Sequence, residues 1–176
     1  PSYHADLVLG VSTYWWELLS AAPQITHLYV PIGMGSGACA AIAAKLALGH
    51  AAQVIGVIST GALTYAHSLA AGQVVAAPVS TQLADGLAVR EADAQALALL
   101  QPHLADLVQV SDAEVAEAMR VLYRCTHNVA EGAGAAALAA AMQQAAALRQ
   151  AGAVLGLPVT GGNVDAPVFA QVLQAG

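Results

Sequence analysis

A glycine-rich turn between an apolar run and an alanine-rich run constrains this chain most: VPIGMGSGACAAIAAKLAL, residues 30–48. Glycine adopts backbone angles that other residues avoid, and it lets the backbone approach a ligand closely. The helix that follows presents unpaired N–H groups and a partial positive charge, which suit a phosphate. A tight turn without a ligand is the alternative that the sequence leaves open. The candidate phosphate-binding residues are Gly33, Met34, Gly35, Ser36 and Gly37.

Two other phosphate-binding patterns fit this turn poorly. A dinucleotide fingerprint tolerates Ala38 as its last small residue, but it needs an acidic residue about twenty positions later. The second apolar run ends in Ile58, Ser59 and Thr60, with no acid there. A P-loop is excluded because no G-K-[ST] occurs and Lys45 lies too far along the chain. A single phosphate on a small cofactor therefore fits better.

Strand and helix patterns alternate along the chain. Short apolar runs predict strands at residues 27–32, 53–59, 104–110 and 153–159. Helical spacing predicts helices at residues 6–22, 38–48, 62–71 and 134–150, and a further helix after the capping-box pair Ser111 and Glu114. This order is typical of a parallel sheet with crossover helices. We therefore expect one α/β domain over residues 1–176, with three αβα layers and a mostly parallel sheet.

The composition excludes several classes of function. The net charge is −6 with only five Lys and Arg, so nucleic-acid binding has little electrostatic support. The chain is 58% hydrophobic, but no apolar window reaches the roughly 18 residues of a membrane-spanning helix. A buried parallel sheet or a covered interface accounts for the apolar character. The six histidines lack ligand spacing, so we predict no metal site.

The two cysteines and the first residues of the chain indicate the cellular compartment of the protein. Cys39 and Cys125 lie far apart, and we predict two buried, reduced thiols of a cytoplasmic protein. Residues 1–10 lack the basic start and apolar core of a signal peptide. Because Pro1 is not a start methionine, we expect the chain to be cut from something longer, or processed.

A second glycine site lies in PVTGGNVD, residues 158–165. Thr160 ends a predicted strand and precedes Gly161 and Gly162, so its hydroxyl can reach into a pocket beyond the strand ends. The turn at residues 33–37 would share that edge of the sheet. An Asx-type turn at Asn163 that caps the last helix is the alternative.

Four segments, in order, resemble the pyridoxal-phosphate (PLP) dependent serine/threonine dehydratases of fold-type II, the tryptophan-synthase-β-like superfamily. They are VPIGMGSGACA, STQLADGLAVR, VSDAEVAEAMRVLYRCTHNVAEGAGAAALAA and PVTGGNVD. The resemblance covers nearly the whole chain and identifies it as part of the PLP-binding large domain of such an enzyme. It implies pyridoxal 5'-phosphate as cofactor, a small hydroxy amino acid as substrate, and a homodimer for the full-length protein. The implied reaction converts threonine or serine to 2-oxobutanoate or pyruvate plus ammonia.

The resemblance also implies roles for single residues. Residues 33–37 would bind the cofactor phosphate, and Thr160 would face the pyridine nitrogen. Gly86 and Glu131 match positions that look onto the cofactor region. From the residues alone, Asp85 and Gly86 are equally a turn signal, and Glu131 is equally a charge at a helix start.

The chain departs from the family at the catalytic lysine. The family holds PLP as a Schiff base on a lysine in a Ser-x-Lys segment, which lies before the region matched here. The single lysine of this chain, Lys45, follows the glycine turn on a helix, and we interpret it as an exposed helix residue. We assign no catalytic residue, and we expect the chain by itself to be an incomplete, inactive fragment.

Other activities remain open as alternatives. Within the superfamily these are a serine racemase and a 3-hydroxyaspartate dehydratase, and outside it a non-catalytic module that binds a phosphate ligand. A nucleotide-binding oxidoreductase fits poorly, because the sequence lacks the acidic residue that would bind the ribose of a dinucleotide. Some relatives carry a cation site built from carboxylates after the second strand. Here that region, VISTGALTYAH, has no acid, so it offers no hard-cation ligands.

Overall fold

The computed structural model of the chain, which describes residues 3–175, alternates strands with helices. The strands are β1 (His27–Pro31), β2 (Gln53–Ser59), β3 (Leu104–Val110) and β4 (Leu155–Gly156). The helices are α1 (Ala5–Ala21), α2 (Ser36–Leu48), α3 (Thr64–Ala71), α4 (Ala94–Leu100), α5 (Asp112–Thr126), α6 (Gly132–Gln143), α7 (Ala145–Gln150) and α8 (Ala166–Gln174). One turn of 3₁₀-helix spans Asp85–Leu87.

The four strands form one parallel sheet in the order β3-β2-β1-β4. In the central pair, His27 of β1 lies opposite Gln53 of β2. Every residue of β2 after Gln53 is buried. Continuous burial of this kind is expected when helices cover both faces of a parallel sheet.

Two hydrophobic cores lie on opposite faces of the sheet. Leu28 and Val30 of β1 belong to the core that packs against α1, α2, α3 and α4. Tyr29, between them, belongs to the core that packs against α5, α6 and α8. Successive side chains of a strand point to opposite faces, so one strand serves both cores. The predicted three-layer αβα arrangement is confirmed.

Several predicted elements differ from the structure in their bounds, and one helix was not predicted. Helix α2 begins at Ser36, two residues earlier than predicted, so the last part of the glycine turn is already helical. The predicted strand 153–159 is reduced to the two residues of β4, the only part of it that pairs with β1. Beyond β4 the chain leaves the sheet, and at Gly161 its carbonyl pairs with the N–H of Glu131 instead. Helix α4 was missed, although Asp93 caps its start with hydrogen bonds of 2.9 and 3.0 Å.

The prediction of a single helix over residues 134–150 is wrong. Gln144 separates α6 from α7 and has φ −97° and ψ 7°. Its Oε1 accepts a hydrogen bond of 2.5 Å from the hydroxyl of Tyr29. This partner lies on β1, 115 positions away, so the alanine-rich pattern itself contains no sign of the break.

The prediction of two buried thiols is correct for Cys39 and wrong for Cys125, which is exposed. The core contacts of α5 come from its earlier turns, at Val115 and Met119. All residues from Tyr123 to Val129 are exposed, because the last turn of α5 extends beyond the core. A bilayer could not be spanned by any helix in residues 3–175, since none has the length and apolar character required.

The predicted capping box at the start of α5 is confirmed. The hydroxyl of Ser111 accepts the N–H of Glu114 at 3.3 Å, and Oε2 of Glu114 accepts the N–H of Ser111 at 2.7 Å. Oε1 of Glu114 accepts a third hydrogen bond, of 2.9 Å, from the side chain of Gln143 at the end of α6. One carboxylate therefore joins two helices of the same layer.

Replacing Glu114 with glutamine should make the free energy of unfolding fall less steeply as the pH is lowered. Hydrogen bonds from Ser111, and then from Gln143, hold the pKa of Glu114 below its ordinary value of 4.5. Because the folded pKa is the lower one, the stabilisation is present above about pH 4.5 and is lost as the pH falls through the folded pKa. Urea unfolding at several pH values above and below 4.5 measures how steeply the free energy of unfolding changes with pH.

The exposed Glu91, which forms no hydrogen bond within the described residues, provides the matched control. Wild type and Glu91→Gln should lose stability along the same curve below pH 4.5. A Glu114→Gln curve as steep as theirs would contradict the role assigned to the capping carboxylate.

Candidate functional site

A cleft of about 640 Å³ opens at the carboxyl edge of the sheet. It lies between the β1–α2 turn, the 3₁₀ turn, the start of α6 and the segment after β4, with α1 along one side. In a parallel sheet, this edge is where ligand clefts form. All eight residues singled out from the sequence line this one cleft: Gly33, Met34, Gly35, Ser36, Gly37, Gly86, Glu131 and Thr160.

The glycine turn presents a row of free backbone donors to the cleft. Within residues 3–175, the N–H groups of residues 33–38 donate to no acceptor. Gly35 caps α2 with φ 98°, and its carbonyl accepts the first helical hydrogen bond, from Cys39 at 2.9 Å. The positive end of the α2 dipole lies at the same place. Together these features suit a phosphate dianion.

Two buried side chains fix the direction of these donors from behind the turn. The hydroxyl of Tyr65 donates to the Met34 carbonyl at 2.7 Å, and the indole N–H of Trp15 donates to the Gly37 carbonyl at 3.2 Å. In a planar trans peptide the carbonyl and the next N–H point in opposite directions. Holding the two carbonyls back therefore aims the N–H groups of Gly35 and Ala38 away from the core. Burial raises the pKa of Tyr65, so its hydroxyl remains a donor.

Gly86 lies wedged between the glycine turn and α6. A Cβ at Gly33 would collide with the carbonyl oxygen of Gly86, and a Cβ at Gly86 would lie 2.7 Å from the Cβ of Ala133. The turn indicated by Asp85 and Gly86 is present as the 3₁₀ turn, and its Asp85 carboxylate accepts the N–H of Gly86 at 2.8 Å. Gly86 therefore brings two walls of the cleft into backbone contact.

Glu131 joins the start of α6 to the segment that carries Thr160. Its N–H donates to the carbonyl of Gly161 at 3.0 Å, and its Oε2 accepts the N–H of Asn163 at 3.1 Å. The alternative that Asn163 caps the last helix is wrong, because Asp165 occupies the N-cap position of α8. Asn163 instead gives its backbone N–H to Glu131.

Helix α1 contributes two cleft residues that were not expected from the sequence, Val11 and Tyr14. They are three positions apart and therefore share a helix face, which is the only local signal for them. The Tyr14 side chain is 37% exposed, and its partial burial raises the pKa of the phenol to about 12. The cleft thus has an uncharged side beside its row of donors.

Lys45 is not among the residues that line the cleft. It lies in the last turn of α2, at the end opposite the glycine turn. It is half-buried rather than exposed as expected, which the long aliphatic stem of lysine permits. Residues 3–175 also bring together no group of three or more His, Cys, Asp or Glu side chains that could hold a metal ion.

Known proteins match this chain in both sequence and fold. The family model described as "Pyridoxal-phosphate dependent enzyme" matches residues 1–161. L-threonine ammonia-lyase of Geobacter sulfurreducens is 32% identical over 171 residues, which cover 97% of this chain and 42% of that protein. L-threo-3-hydroxyaspartate ammonia-lyase of Pseudomonas sp is 30% identical over 175 residues, which cover 99% and 54%.

Among solved structures, maize serine racemase superimposes with a TM-score of 0.83 and 27% identity, over 96% of this chain and 53% of that one. The chain spans about half the length of the curated relatives it matches.

Proposed function

Because the chain belongs to the family of pyridoxal-phosphate dependent enzymes, we propose that its cleft holds PLP for the dehydration and deamination of threonine or serine. The products would be 2-oxobutanoate or pyruvate, plus ammonia. We also propose that residues 1–176 form one α/β unit within the cofactor-binding part of the protein, and that the full-length protein is a homodimer.

The row of free N–H groups at residues 33–38 carries this proposal. A phosphate monoester fits such a row, because anionic oxygens accept backbone hydrogen bonds strongly. The cleft volume of about 640 Å³ suits a small cofactor and a small substrate. Thr160 contributes a neutral hydroxyl to the same cleft.

Each wall of the cleft would have a distinct part. Residues 33–37 would bind the phosphate, the Thr160 hydroxyl would pair with the ring nitrogen, and Gly86 would leave room beside the ring. When bound, PLP supplies the electron sink for the pair that remains after a proton leaves the substrate α-carbon. A neutral hydroxyl cannot stabilise a protonated ring nitrogen as a carboxylate does, so Thr160 tempers that sink. No proton-transfer role is assigned to Lys45, which lies outside the cleft.

A non-catalytic module that binds a phosphate ligand is the second candidate. The position of Lys45 outside the cleft favours this candidate for the chain taken alone, because none of the lining residues offers an amine to a carbonyl ligand. Serine racemisation and 3-hydroxyaspartate dehydration are alternatives for the reaction. The names of the relatives include both activities beside threonine ammonia-lyase.

Titration with PLP, pyridoxal and NAD tests the binding site. PLP should bind at least about tenfold more tightly than pyridoxal, because only PLP carries the phosphate that the free N–H groups accept. NAD should not compete. Borohydride treatment followed by mass spectrometry should add no PLP to Lys45. Equal affinities for PLP and pyridoxal would count against the phosphate site.

The reaction is tested on the product of the complete coding frame, loaded with PLP. L-threonine and L-serine should yield a 2-oxo acid and ammonia, and chiral chromatography measures serine racemisation beside them. L-threo-3-hydroxyaspartate as the preferred substrate would move the assignment to that lyase. Absence of oxo acid from all three substrates would reject the dehydratase.

A further inference from the structure

The segment that carries Thr160 is attached to the rest of the cleft through Glu131. Two hydrogen bonds make the attachment: the N–H of Glu131 donates to Gly161 at 3.0 Å, and its Oε2 accepts from Asn163 at 3.1 Å. Thr160 immediately precedes this pair of contacts. No side-chain hydrogen bond of Thr160 itself forms within the described residues, so the neighbouring turn determines where its hydroxyl lies.

The turn also packs directly on the carboxylate. A Cβ at Gly161 would collide with Oε1 of Glu131 and would lie 2.7 Å from its carboxyl carbon. A Cβ at Gly162 would lie 2.7 Å from the carbonyl oxygen of Val129, just before Glu131. The glycine pair therefore has a structural reason: the turn approaches the Glu131 carboxylate at Gly161 and the Val129 carbonyl at Gly162 too closely for side chains.

The two oxygens of Glu131 have different surroundings. Oε2 is occupied by the Asn163 N–H, whereas Oε1 accepts no hydrogen bond within residues 3–175 and lies beside Gly86. Two roles for the carboxylate follow from this asymmetry. It acts either through its reach, by holding the turn with Oε2, or through its charge, by presenting Oε1 to the cleft.

We propose that Glu131 is a positioning residue whose reach to the Asn163 N–H holds the Gly161–Asn163 turn and so sets the place of the Thr160 hydroxyl. The negative charge is secondary. This inference rests on the proposed function, because it takes the Thr160 hydroxyl as the partner of the PLP ring nitrogen.

Two substitutions of Glu131 separate reach from charge. Glu131→Gln keeps the length and an oxygen that accepts the Asn163 N–H, but removes the charge. Glu131→Asp keeps the charge but is one methylene shorter. Loss of a hydrogen bond to a charged group corresponds to about a tenfold change in an equilibrium constant. We therefore expect Asp to be the more damaging replacement and Gln the milder one.

The first readout needs no ligand. Hydrogen exchange of the Asn163 amide, followed by NMR, should accelerate about tenfold in Glu131→Asp and by less than about threefold in Glu131→Gln. The second readout is the absorption maximum and dissociation constant of bound PLP, which should follow the same order. A reversed order, with Gln the more damaging variant, would show that charge decides and would overturn the proposal.

A double-mutant cycle with Thr160→Val tests whether Glu131 acts through Thr160. In a chain that already carries Thr160→Val, the further change Glu131→Asp should produce no additional shift of the PLP absorption maximum. A shift as large as the one that Glu131→Asp produces in the wild-type chain would overturn the proposal, even if the Asn163 amide responds as expected.

Failure of the proposed function is separable from failure of this inference. If the wild-type chain binds no PLP, the proposed function falls, and the link to the cofactor falls with it. If PLP binds to the wild type but Asn163 exchanges at the same rate in Glu131→Asp, only the positioning role is rejected.

Discussion

Replacing Trp15 with alanine should lower the free energy of unfolding by about 3–5 kcal/mol. Trp15 is completely buried in the core between the sheet and α1 to α4, and its removal leaves a large cavity there. The substitution also removes the hydrogen bond from the indole N–H to the Gly37 carbonyl. PLP affinity should fall as well, because that bond helps to fix the first turn of α2. Urea unfolding and PLP titration of the same preparation measure the two effects.

Trp16 is the matched control, since it is the next residue on the same helix and its side chain is 47% exposed. Trp16→Ala should change the free energy of unfolding by less than about 1 kcal/mol and leave PLP affinity unaltered. Similar losses for the two substitutions would contradict the packing of α1 through its Trp15 face.

Gly35→Ala should lower the free energy of unfolding by about 2–5 kcal/mol, through two separate effects. The φ of 98° lies where side chains are strained, and an added Cβ would lie 2.8 Å from the Cβ of Ala96 and 2.9 Å from the hydroxyl of Tyr65. Relief of that contact requires the turn to move toward the cleft. We therefore expect the PLP affinity of the folded variant to fall by about tenfold or more. This loss should be measured at temperatures where the variant is folded, so that unfolding does not contribute to it.

Gly49, at the other end of α2, isolates the backbone effect. Its φ is 62°, and a Cβ there would meet nothing within 4 Å. Gly49→Ala should therefore lower stability by only about 1–2 kcal/mol, with no effect on PLP affinity. If both substitutions weaken PLP binding alike, the effect comes from α2 as a whole rather than from the turn.

The cleft was predictable wherever its residues carry a local signal. A glycine-rich turn between a strand and a helix has a clear physical use, and it was found from residues 33–37 alone. Thr160 was expected there as a polar residue at the end of a parallel strand, and it lines the cleft although the strand itself ends at Gly156. Gly86 and Glu131 lack so clear a pattern, and only the resemblance to a family indicated them.

The remaining features depend on contacts between distant parts of the chain. The break between α6 and α7 lies at Gln144, whose side chain pairs with Tyr29, 115 positions away. Tyr14 lies beside the cleft on a helix whose next residue, Trp15, donates a hydrogen bond to the carbonyl of Gly37, 22 positions away. Pairings at such distances arise only when the layers assemble, so propensity and periodicity do not reveal them.

Backbone contact between the walls also limits how this cleft can diversify. Gly33 meets Gly86, and Gly134 meets Gly161, without room for a methyl group at either junction. A methyl group at Gly33 or Gly134 would therefore displace the opposing segment. The α1 side of the cleft is lined by side chains instead, so directed evolution of a new specificity should randomise Val11 and Tyr14 first.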